Sequence, residues 1–340
     1  MADPVVNSVS NSDSRADSGS DSRTDYGSTR VAVLCGGVGA ARFLSGLVQV
    51  VAPANITAVV NVADDLVLHG LHISPDIDTI VYTLAGANSV ERGWGLEGES
   101  WQAMEMLGRY GGDDWFSLGD RDLGTHLYRT QQLQTGSTLA DVTAAIARAW
   151  GLDLRLLPVT NDPVRTMLTT IDLGEIGFQE YFVRLQHSVP VTAVRFAGAE
   201  NAQPAPGVTE ALTGADVVVI APSNPVISID PILAVPGVRD ALRGRTESVV
   251  AISPIVAGKA LKGPADRLLA ELGRDASVEA VGRWYAGLIG TLLIDSVDAD
   301  LAEKIEAKGP TVISTDTIMS RPGVAANLAR RALTAALAQR

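Results

Sequence analysis

The sequence predicts an α/β protein of Rossmann-like, three-layer build, with a mainly parallel sheet covered by helices. Three observations carry this. Short apolar runs such as VAVL (31–34), ITAVV (56–60) and VVVI (217–220) recur along the chain with helical patterns between them. The first run opens directly into a glycine loop, GGVG at 36–39. The second ends in a cluster of acids, and open α/β sheets place their ligands at the carboxyl ends of strands.

The elements follow in order. Residues 31–34 form a buried strand, the glycine loop follows, and 42–50 continue as an amphipathic helix that Pro53 stops. Residues 56–60 are the second strand. Pro75 sits where a first helical turn begins, with Ile77, Ile80, Val81 and Leu84 at helical spacing and Gly86 closing the helix. Helices are expected over 120–133 and 138–150, the second opened by a capping-box variant from Thr138 to Asp141. Strands at 154–159, 164–170 and 191–196 surround a helix at 178–187, and residues 135–197 are taken together as a mixed α/β insertion. The alternation then returns with strands at 216–220, 248–252, 292–294 and 311–313, and an Ala-rich helix at 323–338. No internal repeat is evident.

Composition bounds the function. A chain of 340 residues, 46% hydrophobic, is long enough for a packed enzyme core. Its net charge of −12 disfavours nucleic acid and anionic membrane as partners, so a nucleotide must be met by backbone amides, metal and a few local cations. The single cysteine, Cys35, allows no intrachain disulfide and fits a reducing cytoplasm, where it reads as a buried small hydrophobe. Residues 1–29, rich in Ser and Asp, predict a disordered tail with no signal-peptide pattern, and no apolar run predicts a membrane span. The remaining residues, 30–340, form the catalytic nucleotide-binding domain.

Five segments carry chemistry. Gly36, Gly37 and Gly39 let backbone amides approach a phosphate at a helix N-terminus, and Arg42 adds a cation one turn on. The loop lacks the third glycine of the dinucleotide fingerprint and the Lys of a Walker loop. Asn61, Asp64, Asp65, His69, Asp76 and Asp78 form the acidic segment, which would repel itself without a cation, and this argues for Mg²⁺. Asp76 also suits a first-turn acid facing the helix dipole. WFSLGDRDLGTH brings Asp120 to a helix start, as a cap or as a cleft residue. Ser223 and Asn224, between two prolines after a strand, present a hydroxyl and an amide to a ligand. Lys259 and Lys262 follow the next strand and would offset diphosphate charge.

Taken in order, GGVGAAR, NVADD, HGLHISPDIDT, GWGLEGES, WFSLGDRDLGTH, LPVTNDPVRT, FQEYFVR, APSNPVISIDPIL and SPIVAGKALKGPA make the chain resemble the 2-phospho-L-lactate transferase family of deazaflavin coenzyme F-420 biosynthesis, over residues 31–265. The resemblance implies a Mg²⁺-dependent, usually dimeric enzyme. It takes a guanosine diphosphate ester and the deazaflavin Fo, transfers the phospho-acyl group to a ribityl hydroxyl of Fo and releases GMP. Similarity to actinobacterial members implies an enolpyruvyl donor in place of a lactyl one. On this resemblance Gly36, Gly37 and Gly39 hold the diphosphate, and Asp64, Asp65 and Asp78 form the catalytic and metal centre, with Asp65 the first choice for metal. Ser223 and Asn224 hold the guanosine part, and Lys259 or Lys262 the donor's phosphate or carboxylate. His69 is a hydrogen-bond donor to substrate, and Arg42 stands where many relatives have lysine. The gluconeogenesis-factor family, a set of nucleotide-sugar or dinucleotide regulators, has a similar loop and paired Asp. It continues with a Gly-Gly-Ser-Ser-Gly run where this chain has residues 66–70, so it is the second reading.

Overall fold

The computed structural model describes residues 26–261, 265–307 and 309–339; most of the expected tail, residues 1–25, lies outside them. Seven parallel strands form the central sheet: β1 (Val31–Cys35), β2 (Ile56–Val60), β3 (Arg155–Pro158), β4 (Val217–Ile220), β5 (Val249–Ile252), β6 (Thr291–Asp295) and β7 (Thr311–Thr315). Their spatial order is β3-β2-β1-β4-β5-β6-β7. Every neighbouring pair runs parallel, as Val33 opposite Ala58 and Val219 illustrate. Parallel strands covered on both faces read as continuous apolar runs, and all residues of β1, β4 and β5 are buried. The sheet is flanked by helices, as the alternating pattern predicts.

Chain order reverses between β1 and β4: the chain leaves β1 for β2 on one side, and returns to the other side only at β4. Such a reversal opens a crevice beyond the strand ends. Two helices line it, α1 (Gly37–Leu47) and α2 (Pro75–Leu84). Helix α1 packs on α2 and on the terminal helix Val324–Leu337. The second approach is tight enough that a side chain at Gly46 would overlap the backbone of Ala325.

The segment expected as an insertion divides in two. Helix Leu139–Ala149, opened by the Thr138–Asp141 capping box, leads into β3, which pairs with β2 as the edge of the main sheet. Only the residues beyond β3 stand outside that sheet, as an antiparallel unit of Arg165–Thr170, Gly174–Gly177 and Val191–Ala197. The helix expected at 178–187 is a single π-helical stretch, Glu180–Arg184. Gly174–Gly177 and the hairpin Leu66–Leu68 with Leu71–Ile73 escape the periodicity reading, because three or four residues hold too little alternation to register.

Candidate active site

A cavity of about 890 Å³ opens in the crevice, and the loops after β1, β2, β4 and β5 all reach it. The glycine loop forms one side. Gly37 has φ +72°, which only glycine adopts without strain, and its N–H donates to Asp76 Oδ1 at 2.8 Å. The Gly36 N–H donates to Ser223 Oγ at 3.3 Å, and that hydroxyl donates to the Gly36 carbonyl at 2.8 Å. A Cβ on Gly36 would lie 2.5 Å from Asp76 Oδ2, and one on Gly39 would overlap the Pro222 carbonyl oxygen. Gly36 therefore serves close packing against the start of α2, and Gly39 close packing against the β4 loop.

Asn61 is wholly buried and organises the acids. Its amide donates to Asp76 Oδ2 at 3.0 Å and to the Ile227 carbonyl at 3.3 Å, while its Oδ1 accepts the Ala63 N–H at 3.0 Å. Asp64, Asp76 and Asp78 line the cavity. Asp65 does not; it turns to Ser74, whose hydroxyl donates to Oδ2 at 2.7 Å. Burial pushes the Asp64 carboxyl well above the ordinary range, with the Asp76 charge adding to it. Burial likewise raises Asp65 to about 8 against the pull of Ser74 and Arg129, and Asp76 to about 6 against the bonds from Asn61 and Gly37.

Behind the acids lies a cation that the charge pattern hides. Arg129 is fully buried, and its guanidinium clamps both oxygens of Asp78, with Nη1 3.1 Å from Oδ2. The same Nη1 lies 3.2 Å from His126 Nδ1. Arginine only donates, so Nδ1 accepts and the ring proton sits on Nε2, 3.2 Å from Asp122 Oδ2. Tyr82 completes the group by donating to Asp122 Oδ1 at 2.6 Å. Burial alone would raise Asp122, but His126, Tyr82 and Arg129 hold it below its usual value.

A hard divalent cation fits this donor set at one place better than another. Asp64 Oδ1 and Asp65 Oδ1 are buried with no hydrogen-bond partner among the described residues, as expected of carboxylates that await a cation. Asp78, Asp122 and His126 also offer atoms within 4.8 Å of one another. There, however, Arg129 already claims both oxygens of Asp78 and Tyr82 one of Asp122. Asp64 and Asp65 thus each offer an oxygen of the type Mg²⁺ takes, with no third such group joining them within 4.8 Å among the described residues, and Asp78 has less to offer a cation than the sequence suggests.

Several expected site residues lie elsewhere. His69 is exposed at the turn of the 66–73 hairpin with φ +53°, and it does not line the cavity. Asp120 caps the helix Gln102–Arg109, accepting the N–H groups of Gln102 and Ala103 at 3.0 Å each and the Ser100 hydroxyl at 2.5 Å. Lys259 is exposed on the small hairpin Ile255–Val256 with Lys259–Ala260, off the cavity, and Lys262 lies outside the described residues. Asn224 does line the cavity, but its Oδ1 accepts the Val226 N–H at 3.0 Å and so shapes its own turn. Positive charge comes instead from Arg42 on α1 and from Arg92 in the glycine-rich loop before the helix Gln102–Arg109; both line the cavity. Arg92 lies against Trp94 and Trp101, 5.7 and 5.5 Å from their ring centres, and its Nη2 reaches the Leu96 carbonyl at 2.5 Å. Phe178, Phe182 and Gln186 from the outer unit complete the wall. Phe178 and Phe182 fall within FQEYFVR, Gln186 lies just after it, and Arg92 immediately precedes GWGLEGES; sequence reasoning assigns these segments no role.

Comparison with known proteins places the chain in a family. Residues 31–331 match the family described as 2-phospho-L-lactate transferase CofD. A protein named phosphoenolpyruvate transferase from Streptomyces griseus is 46% identical over 309 residues, covering 89% of this chain and 97% of the relative. Namesakes from Streptomyces coelicolor (45% over 312 residues, 90% and 98% covered) and Mycobacterium bovis (43% over 320 residues, 88% and 97% covered) are similar to the chain over the same extent. Among solved structures, protein BH3568 of Bacillus halodurans superposes with a TM-score of 0.59 at 20% identity, covering 90% of this chain and 99% of that one, which shows a shared fold. With a family match across nearly the whole described chain and relatives well above 40% identity, the chain belongs to the 2-phospho-L-lactate transferase CofD family.

Proposed function

We propose that the chain is a phosphoenolpyruvate transferase that moves the enolpyruvyl-phosphate group of a guanosine diphosphate ester onto a hydroxyl of the deazaflavin Fo, releasing GMP. The observation that carries this reading is the pairing, in one cavity, of the Gly36–Gly39 helix start with the buried acids Asp64, Asp76 and Asp78, of which Asp64 keeps an oxygen with no hydrogen-bond partner among the described residues. Such a pairing serves displacement at phosphorus, where catalysis is mainly positioning and charge neutralisation. The names of the relatives support enolpyruvyl over lactyl.

In the reaction the acceptor oxygen attacks the β-phosphorus, the bond from that phosphorus to the bridging oxygen breaks, and GMP leaves with the bridging oxygen. Asp64, facing the cavity with a raised proton affinity, orients the acceptor hydroxyl and takes its proton. Asp64 and Asp65 are the residues suited to hold Mg²⁺, which when bound supplies charge neutralisation at the diphosphate. Arg129 keeps Asp78 and Asp122 in place and limits repulsion beneath the site. Arg42 and Arg92 meet the donor's negative groups, and Ser223 and Asn224 shape the guanosine side. The free Cys35 thiol supports a cytoplasmic setting, and among the described residues no helix is long and apolar enough to cross a membrane. A homodimer follows from the family resemblance.

The test supplies Fo, Mg²⁺ and either the enolpyruvyl or the lactyl donor, and reads GMP and the coupled product by mass spectrometry. GMP should form only when all three components are present, and Asp65→Asn should nearly abolish turnover without loss of fold. If GMP never forms while the nucleotide still stabilises the fold, the chain is a non-catalytic regulator.

A further inference from the structure

Two motifs of the sequence, GWGLEGES (93–100) and WFSLGDRDLGTH (115–126), meet in a reciprocal clasp. The first leads into helix α3 (Gln102–Arg109) and the second into helix α4 (Asp120–Gln134). Glu99 accepts the Arg121 N–H at 2.8 Å and the Asp122 N–H at 2.9 Å, and so caps α4. Asp120, at the start of α4, accepts the N–H groups of Gln102 and Ala103 and so caps α3. The Ser100 hydroxyl donates to Asp120 at 2.5 Å, the Asp120 N–H donates to the Ser100 carbonyl at 2.9 Å, and Arg121 Nη1 reaches the Glu97 carbonyl at 2.5 Å. A Cβ on Gly119 would overlap the Glu99 carboxyl, so glycine is required where the two chains cross.

The segment that the clasp closes off packs weakly for one that lines the cavity. Of residues 87–117 only Ser89 and Leu96 are buried, and α3 buries none of its residues. Val90 and Tyr110 stand 87% and 79% exposed. The Ser89 N–H to Gly95 and Glu97 N–H to Ala87 bonds fold its first part into a small hairpin that brings Arg92 and Trp94 to the cavity, and Phe116 and Ser117 line it from the other end. Between this hairpin and helices α1 and α2 lies a second void of about 160 Å³, lined by Val38, Arg42, Thr79, Tyr82, Val90 and Trp94. Arg92 Nε is buried with no hydrogen-bond partner among the described residues. Few buried contacts, unfilled space beneath and an incompletely engaged cation mark a segment of low local stability, held at its base and not fully seated.

We infer that residues 87–118 are a lid on the donor side of the cavity, and that Glu99 and Asp120 are positioning residues that anchor its base to α4 while the Arg92 hairpin closes onto the donor's diphosphate. The inference rests on the proposed function for the identity of that ligand, and adds how the ligand is enclosed. Closure fills the second void, brings Arg92 toward Arg42 and excludes water from a phosphoryl transfer. The anchor suits the task. Carboxylates are favoured at helix starts, and Glu99 grips the N–H of Asp122, whose side chain faces the cavity, so the base of the lid and that acid move as one piece.

Hydrogen exchange of the full-length protein, read by mass spectrometry with and without GDP, tests closure directly, because GDP carries the donor's diphosphate without its acyl group. Amides of 87–118 should exchange at least about tenfold more slowly with GDP bound. Glu99→Gln and Asp120→Asn should each lessen that protection and raise the donor's KM about tenfold, with kcat changed less than about threefold and Fo affinity less than about twofold. Asp141→Asn weakens the same kind of cap on the helix Leu139–Ala149, away from the cavity, and should leave the donor's KM unchanged. Exchange in 87–118 that is indifferent to bound GDP, or variants with a donor KM no higher than that of Asp141→Asn, would overturn the inference and leave the proposed function standing. Protection by GDP in a parent protein that forms no GMP from donor and Fo would keep the lid and remove the proposed function. GDP that fails to bind the parent at all, by calorimetry, would remove both.

Discussion

Asp76 Oδ1 accepts the Gly37 N–H at 2.8 Å, so a carboxylate from α2 occupies the helix-start amide that a ligand phosphate would use. It is held there by the Asn61 amide and raises the proton affinity of Asp64 beside it. The loop is thus a filled anion site, and a diphosphate must displace or share with a resident acid.

Asp76→Ala should therefore bind inorganic diphosphate at least about fivefold more tightly than the parent in the absence of Mg²⁺, since a like charge and a competitor are removed together. Calorimetric titration checks this; equal or weaker affinity would show that Asp76 shapes the loop and does not compete. The same change should relieve Gly36→Ala, whose Cβ meets Asp76 Oδ2, but not Gly39→Ala, whose overlap is with backbone. Gly39→Ala should lose about 1–3 kcal/mol in urea unfolding.

Mg²⁺ affinity should rise with pH. Burial lifts Asp65 to about 8, so below that value the metal must expel a proton to bind. Thermal stabilisation by a fixed Mg²⁺ concentration should be small near pH ~6 and large near pH ~9, and Asp65→Asn should flatten the profile. A pH-independent shift would remove Asp65 from the metal site.

Arg129→Met should be among the most damaging single changes, about 3–5 kcal/mol in urea unfolding, because it strands the buried Asp78 carboxylate. The double variant Asp78→Asn with Arg129→Met should be more stable than Arg129→Met alone. Additive losses in that cycle would show that the pair is not coupled.

Asp230 offers a pH test away from the cavity. It accepts from Trp284 Nε1 at 3.0 Å and lies 3.6 Å from Arg239, yet burial raises it to about 6 from an ordinary 3.8. An acid with a raised folded pKa binds its proton more tightly folded than unfolded. Its contribution is most favourable below about 4 and is lost as pH climbs through about 6. Asp230→Asn, which still accepts from Trp284, should match the parent near pH ~4 and exceed its stability by on the order of 2 kcal/mol near pH ~8. Equal stability at the higher pH would refute the raised value.

Local signals make much of this legible. The strand-loop-helix at 31–47 and the proline-started helix at 75–84 announce themselves by periodicity and by glycine and proline, and the parallel sheet follows from their alternation. Side-chain direction is harder to read. Asp120 and Asp122 stand two residues apart on one helix start; the first caps a neighbouring helix and the second faces the cavity. The phase of that helix decides between them, and the spacing of Asp122, His126 and Arg129 does carry it, at steps of four and three. Arg129 escapes notice because an arginine on a polar helix reads as a surface residue. Lys259 misleads because strand order places its loop at the correct edge while a short hairpin carries its side chain outward.

The outer unit is tied to the sheet by main-chain bonds, Thr166 N–H to the Ala63 carbonyl at 2.7 Å, Val159 N–H to Val60 at 2.9 Å and Ala205 N–H to Val159 at 2.9 Å, and by buried side chains such as Val164, Leu168 and Tyr181 that join the same core. Main-chain bonds are indifferent to side-chain identity. The cavity-facing and exposed positions of residues 160–204 can therefore diverge while the buried ones keep their apolar volume, leaving the glycine loop and the acids they face in place. Evolution can retune what this half of the cavity accepts while inheriting the glycine-loop half unchanged, and chimaeras joined at Val159 and Ala205 offer protein engineers the same route.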